Sequence, residues 1–425
     1  MIRLQEMLKE GVWVFIGQLG VALGTLAGVR ILTEFILPEI FGALMLLIGV
    51  TALIMGTTVS PVMQAAIKYF PEFDKDSPQK FRKTIVSSLL RRLGIALCIS
   101  CIVLVTASRF FTIDPLLVFL CALMLVVDTS RTLETDLLNA ARRHRAYATV
   151  VVAEAWVRPL AAVAFIMFFG ASLKAVLIAY ILATAAILLL FYNLTEPVGT
   201  GARLTQLQPD VRLQKGITKY SLPLIPMAAL GWINGVGDRY LIGSLLSLAD
   251  AGIYGAVYGL LSRPFQMLSG IIELTLRPHY YKLVAQQKHP EAARLFRKWL
   301  VIVLLSVSAA LLLVFLFDDL IITILLAERY RVGVNLMVWI GSGYALLAIS
   351  DVFIKICYAY GYTRRILLVQ VLGALLSVIL STAGIMMYGL VGAAMAVPIY
   401  FGMILTITIA VSRHRKTLIE NSRED

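Results

Sequence analysis

"LMLVVDTSRTLETDLLNAARRHRAY", Leu123–Tyr147, starts as an apolar run and then takes on charge without ceasing to look helical. Asp128, Arg131, Glu134 and Asp136 fall inside it, and a basic turn, Arg142, Arg143, His144 and Arg145, closes it. The chain around it is 60% hydrophobic and 15% charged over 425 residues. Soluble domains are about 45–50% apolar and about 25% charged. The stretch therefore reads as a membrane-spanning helix, and its charges stand where charge costs a few kcal/mol or more. What they face decides what kind of membrane protein this is.

A span needs about 20 mostly apolar residues. Twelve such runs follow one another: 11–32, 40–65, 84–107, 115–138, 147–169, 173–194, 217–245, 250–274, 299–317, 333–358, 366–387 and 389–411. The first is too long for a signal-peptide core and no small-residue cleavage site follows it, so it is read as a span. Net charge is +13. With the N-terminus cytoplasmic, 28 Lys and Arg lie on cytoplasmic segments or at the cytoplasmic ends of spans, and four (Arg109, Lys174, Arg329 and Arg331) on outer ones. This bias predicts both termini in the cytoplasm. It accounts for the basic balance as a topology signal, so no nucleic-acid partner is expected.

Cys98, Cys101, Cys121 and Cys357 lie in apolar helix and read as buried thiols, the C-x-x-C at Cys98 and Cys101 included. The four His are scattered, and neither a metal site nor a cofactor is expected. Residues 196–216, rich in Gly, Pro and alternating charge, form the predicted cytoplasmic linker between an N-terminal half, 1–195, and a C-terminal half, 217–425. "AGVRILTEFILPEIFGALM" in the first half and "GVGDRYLIGSLLSLADAGIYGAVY" in the second share an order of Gly-Val, Arg, apolar stretch, acidic turn and aromatic-Gly-Ala. Both copies start on the cytoplasmic side. The repeat is parallel, as in transporters whose substrate path runs between two related halves.

Six basic residues lie deep within spans: Arg30, Arg131, Arg158, Arg239, Arg263 and Lys355. Asp128, Glu134, Asp136, Glu154, Asp238, Glu273 and Asp351 join them. Glu154 with Arg158 and Asp351 with Lys355 are i,i+4, and Asp128 with Arg131 is i,i+3, so each pair shares a helix face. Such pairs can glue helices together or line a watery cavity, and their number favours a cavity. Glu134, Asp136 and Glu273 are near cytoplasmic helix ends, within reach of headgroup water. Arg30 and Arg263 lack an obvious same-helix partner at depth; Glu34 could pair with Arg30, but it lies near the outer surface. The anion Arg263 asks for is either another helix's carboxylate or a substrate phosphate, which the guanidinium fork suits. Trp232, Asn234 and Tyr254 are candidates for contact with sugar.

"GQLGVALGTLAGVRILTEFILPEIFG" (17–42), "NAARRHRAYATVVVAEAWVRPLAA" (139–162) and "YSLPLIPMAALGWINGVGDRYLIGSLLSLADAGIYGAVYGL" (220–260) resemble bacterial polysaccharide transporters. These are the oligosaccharide-lipid flippases, of O-antigen translocase type, in the multidrug/oligosaccharidyl-lipid/polysaccharide (MOP) superfamily. The resemblance covers essentially the whole chain. It implies an all-α integral membrane protein with about twelve transmembrane helices in two pseudo-symmetric six-helix bundles around a central cavity. It implies, too, a non-enzymatic carrier in the bacterial cytoplasmic membrane. Such a carrier moves a polyprenyl-diphosphate-linked oligosaccharide to the periplasmic leaflet for surface polysaccharide synthesis. Arg30, Arg263, Arg131, Arg158, Arg239 and Lys355 would then serve the diphosphate, with Arg30 and Arg263 foremost. Asp128, Glu154, Asp238 and Asp351 would serve coupling, to protons or sodium ions, or ion pairing. A monomer is expected. Two alternatives are a cation-coupled multidrug exporter of the same superfamily and a membrane glycosyltransferase. The short outer loops argue against the second.

Overall fold

The computed structural model describes residues 4–73, 77–107, 114–200 and 207–413. Arg3, Lys75, Arg109, Arg203, the Cys101 side chain and the tail beyond Arg413 lie outside the described residues. Every described element is helical. In chain order they are α1 (Leu4–Phe35), α2 (Pro38–Ile54), a π turn (Met55–Val59), α3 (Ser60–Phe73), α4 (Pro78–Ala107), α5 (Pro115–Ala140), α6 (His144–Phe169) and α7 (Leu173–Leu194). There follow α8 (Val211–Ser221), α9 (Leu224–Leu245), α10 (Leu248–Ala285), α11 (His289–Leu325), a short 3-10 segment (Glu328–Gly333), α12 (Val334–Ala359) and α13 (Thr363–Arg413).

Among the described residues, eight helices are long and apolar enough to cross a membrane by length and composition. The other expected spans are the more polar α4, α9 and α10, and the second half of α13. That helix bends at Tyr388 and Gly389 (φ 61°), where the sequence runs part. The protein is thus an all-α, multi-pass membrane protein.

Helix starts follow ordinary capping chemistry. The Asp114 carboxylate accepts from Leu116 N (2.9 Å), with Pro115 at the first helical position of α5. Ser172 caps α7 through Ala175 N (3.2 Å), and Ser247 caps α10 through Asp250 N (3.0 Å). Links are equally short at corresponding points of the repeat. Only Ile36 and Leu37 separate α1 from α2, and only Leu246 and Ser247 separate α9 from α10.

The chain forms two compact units, Met1–Ile36 with Leu46–Trp232, and Leu37–Met45 with Ile233–Asp425. The divide falls inside α2 and α9, whereas the sequence places it in a linker at 196–216. The described C-terminal part of that stretch opens α8, which packs Leu213 and Ile217 on Phe70 and Phe81 in the first unit. The Asp210 carboxylate caps α8 through Leu213 N (3.0 Å) and meets Lys80 Nζ (2.9 Å). Those two bonds hold its pKa below the ordinary aspartate value, the backbone bond being the larger cause.

Glycines set the closest helix approaches. Along α1, Gly17, Gly20, Gly24 and Gly28 face Ala148, Val152, Ala155 with Trp156, and Pro159 of α6. A Cβ on any of the four would stand 2.8–3.0 Å from them. Small residues at this spacing let two membrane helices pack backbone to backbone. In the second unit Gly42 of α2 and Gly252 of α10 are tighter still. A Cβ at Gly42 would lie 1.9 Å from the Leu248 carbonyl oxygen, and one at Gly252 would lie 2.0 Å from that of Pro38.

Between α2 and α3 the π turn leaves carbonyls to be satisfied. The Thr58 hydroxyl donates to Ile54 O (2.6 Å) and that of Thr57 to Leu53 O (2.8 Å). Pro61, which has no N–H to offer, follows directly.

Candidate functional site

In the first unit the span charges converge on Arg158. Its guanidinium pairs with the Asp128 carboxylate of α5, its Nε donates to Thr184 Oγ1 of α7 (2.8 Å), and Glu154 Oε1 lies 3.1 Å away. Arg131 Nε stands 3.4 Å from the same Glu154 oxygen. The Arg158 guanidinium also lies 5.6 Å from the centre of the Tyr180 ring. Three helices are thereby tied by one buried network, with Asp128 and Glu154 each 9% exposed. The expected Glu154–Arg158 pair is present. The i,i+3 pairing of Asp128 with Arg131 is replaced by crossed pairing between α5 and α6, because the facing helix offers each charge a better-aimed partner.

A second cluster was not anticipated. Arg82 of α4 and Glu134 of α5 form a two-pronged pair, with the Tyr192 hydroxyl donating to Glu134 and Arg82 Nη1 donating to Val198 O (3.0 Å). Glu134 is 2% exposed. It therefore does not reach headgroup water, as its place near a helix end suggested. Fifty-two residues separate it from Arg82, and no local spacing signals the pair.

In the second unit, the Asp238 carboxylate accepts from its neighbour Arg239 N (2.8 Å) and from the Tyr254 hydroxyl (2.6 Å). The Arg239 guanidinium lies 4.2 Å from the centre of the Tyr258 ring and donates to Gly235 O (3.2 Å). Tyr254 is fully buried, packed in the core of the second unit with no face open to solvent. Trp232 Nε1 is taken by Gly49 O (2.7 Å) within the first unit, and Asn234 Nδ2 by Gln370 Oε1 (3.1 Å) within the second. Lys355 does not pair with Asp351. Its Nζ sits 2.9 Å from Glu273 Oε1, which also holds Arg277 (2.7 Å). That leaves Asp351 exposed and without an ion pair among the described residues.

Arg30, which has no obvious same-helix partner at depth, pairs with Glu34 one turn along α1 toward the outer surface, the side chains being 35% and 55% exposed. Five of the six basic candidates thus have local partners. Arg263, on α10 just before Pro264, is exposed and has neither an ion pair nor a hydrogen bond among the described residues.

Comparison with known proteins agrees with this architecture. Solved structures sharing the fold include an inward-facing multidrug resistance MATE family transporter of the MOP superfamily. It is 12% identical at TM-score 0.70, with 96% of this chain and 95% of that one covered. The lipid II flippase MurJ in its inward closed conformation is 11% identical at TM-score 0.69, with 95% and 87% covered. A MOP superfamily transporter from Pyrococcus furiosus is 14% identical at TM-score 0.60, with 96% and 95% covered. The fold is therefore that of MOP-superfamily transporters and flippases. The family described as "Polysaccharide biosynthesis protein" matches residues 31–335, and the chain belongs to it. No curated protein sequence matches the chain.

Proposed function

We propose that this MOP-superfamily protein flips a polyprenyl-diphosphate-linked oligosaccharide from the cytoplasmic to the periplasmic leaflet, for surface polysaccharide synthesis. It works by alternating access, as a monomer in the bacterial cytoplasmic membrane with both termini inside. The observation that carries this reading is Arg263, an exposed, unpaired guanidinium on a membrane helix. A permanent cation there is costly unless an anion visits it. Its planar fork matches two phosphate oxygens of a diphosphate. Membership of a polysaccharide biosynthesis family supports a glycan as the cargo. Asp351, exposed and without an ion pair, is the carboxylate free to couple a proton or sodium ion to the cycle. Of the remaining basic candidates, Arg131, Arg158, Arg239 and Lys355 tie helices together, and Arg30 is engaged by Glu34 along its own helix.

The test is surface polysaccharide and membrane protein abundance measured in the same cells. Arg263→Ala should abolish polysaccharide at normal abundance, with lipid-linked oligosaccharide accumulating on the cytoplasmic leaflet. Arg263→Lys should impair it. A cation-coupled multidrug exporter is the second reading, since the fold is shared with a multidrug resistance transporter. It forecasts normal polysaccharide in a strain lacking the protein, together with lost efflux of cationic dyes.

A further inference from the structure

A groove of about 820 Å³ opens on the first unit, where α5 ends, α6 begins and α7 ends, with Trp13 of α1 at its side. Arg142, Arg143 and Arg145 line one part of it. Its other walls are apolar, formed by Ile187, Leu190 and Leu194 of α7 and by Val150 and Ala153 of α6.

None of the three guanidinium groups has a carboxylate partner among the described residues. Arg143 donates to the Glu196 backbone carbonyl (2.8 Å), and Arg145 lies 5.3 Å from the centre of the Trp13 ring. Arg142 and Arg145 are both exposed. Leu190 and Leu194 are 58% and 75% exposed, so the apolar wall is uncovered as well. A groove of this size falls within the range of about 300–1,000 Å³ that holds drug-sized molecules.

The two halves of the lining set the chemistry of the occupant. A small soluble anion would satisfy the arginines and leave the leucine wall bare. A hydrocarbon would cover the wall and leave three positive charges uncompensated. An amphiphile with an anionic head and an apolar tail meets both. Its source follows from position. The arginine turn joins two membrane spans, and Trp13 stands just before the span Ile16–Phe35, where indole rings sit at headgroup level. Basic residues at that level attract anionic lipid at about 1 kcal/mol each.

We propose that this groove is a binding site for one anionic glycerophospholipid of the surrounding leaflet. Its phosphate lies against Arg142, Arg143 and Arg145, and an acyl chain lies along α7. The site fastens the α5–α6 turn to the α7 end.

Native mass spectrometry of the full-length protein in a neutral detergent tests this. Phosphatidylglycerol, phosphatidylcholine and inorganic phosphate are each titrated. Phosphatidylglycerol should be retained at one copy, in clear preference to phosphatidylcholine. Arg142→Gln with Arg145→Gln should weaken its retention by about thirty-fold, two basic contacts' worth. Leu190→Trp, at an exposed position, should weaken both lipids by obstructing the tail. Equal retention of the two lipids by the unaltered protein would overturn the proposal. So would displacement of phosphatidylglycerol by inorganic phosphate, or a double variant that keeps the preference.

Discussion

Replacing Arg158 by Gln tests whether the network in the first unit is structural. Among the described residues Arg158 is the one basic group paired with Asp128, whereas Glu154 keeps Arg131 at 3.4 Å. The substitution therefore orphans one buried carboxylate rather than two. Breaking a buried pair by removing one partner costs about 3–5 kcal/mol, and a single orphan with a surviving neighbour argues for the lower end. The Thr184 hydroxyl also loses its donor. The expected loss is about 3 kcal/mol in the unfolding free energy of the purified protein in mild detergent. Asp128→Asn removes the orphaned charge, so the double variant should be more stable than Arg158→Gln alone, with a coupling of about 2 kcal/mol. Arg158→Gln unfolding within about 0.5 kcal/mol of the parent, with additive single changes, would refute the reasoning. Arg158 would then be free to serve substrate.

Gly42→Ala should destabilise the protein by about 1–3 kcal/mol in the same unfolding assay, because the new Cβ meets backbone that cannot rotate away. Stability unchanged by that substitution would contradict the close crossing of α2 and α10. Arg263→Ala, in contrast, should leave the melting temperature unmoved, since no partner is lost. The Asp210 carboxylate has its pKa lowered by the Leu213 N–H and then by Lys80, so its contribution is complete above the unfolded value of about 4 and is lost as pH falls through the lower folded value. Amide exchange at the start of α8 should therefore quicken between about pH 4 and pH 2, beyond the intrinsic pH dependence, and Asp210→Ala should remove that extra acceleration.

The spans were legible because hydrophobic run length is a one-dimensional property. Even the bend at Tyr388 and Gly389 shows as a break in the apolar run. Charge partners were legible only where a helix turn enforces them, as for Glu154 with Arg158. The i,i+4 spacing of Asp351 and Lys355 offered proximity, but Glu273 on another helix took the lysine, and nothing in a single sequence ranks the two. Arg82 with Glu134 was hidden for the same reason. Arg82 reads as one of many cytoplasmic basic residues until the fold carries it to a carboxylate half a hundred positions away. Glu34 lies near the outer surface, yet the four-residue spacing of one helix turn puts it within reach of Arg30.

The π turn at Met55–Val59 has a consequence for how this stretch tolerates changes in length. A π turn closes its hydrogen bonds one residue later than an α turn, so the chain there is one residue longer than a regular helix would need. Each added residue rotates everything downstream by about 100° about the helix axis. The surplus residue keeps Val62, Met63, Ala66 and Phe70 of α3 pointing into the core. Deleting one residue within Met55–Val59, Gly56 for instance, should therefore be absorbed by relaxation to plain α geometry, with those side chains still in phase. Deletion of one residue anywhere in α2 before the turn has the same escape. One taken from α3 between Pro61 and Lys68 has none, and would swing the exposed Lys68 round to the half-buried position of Ile67.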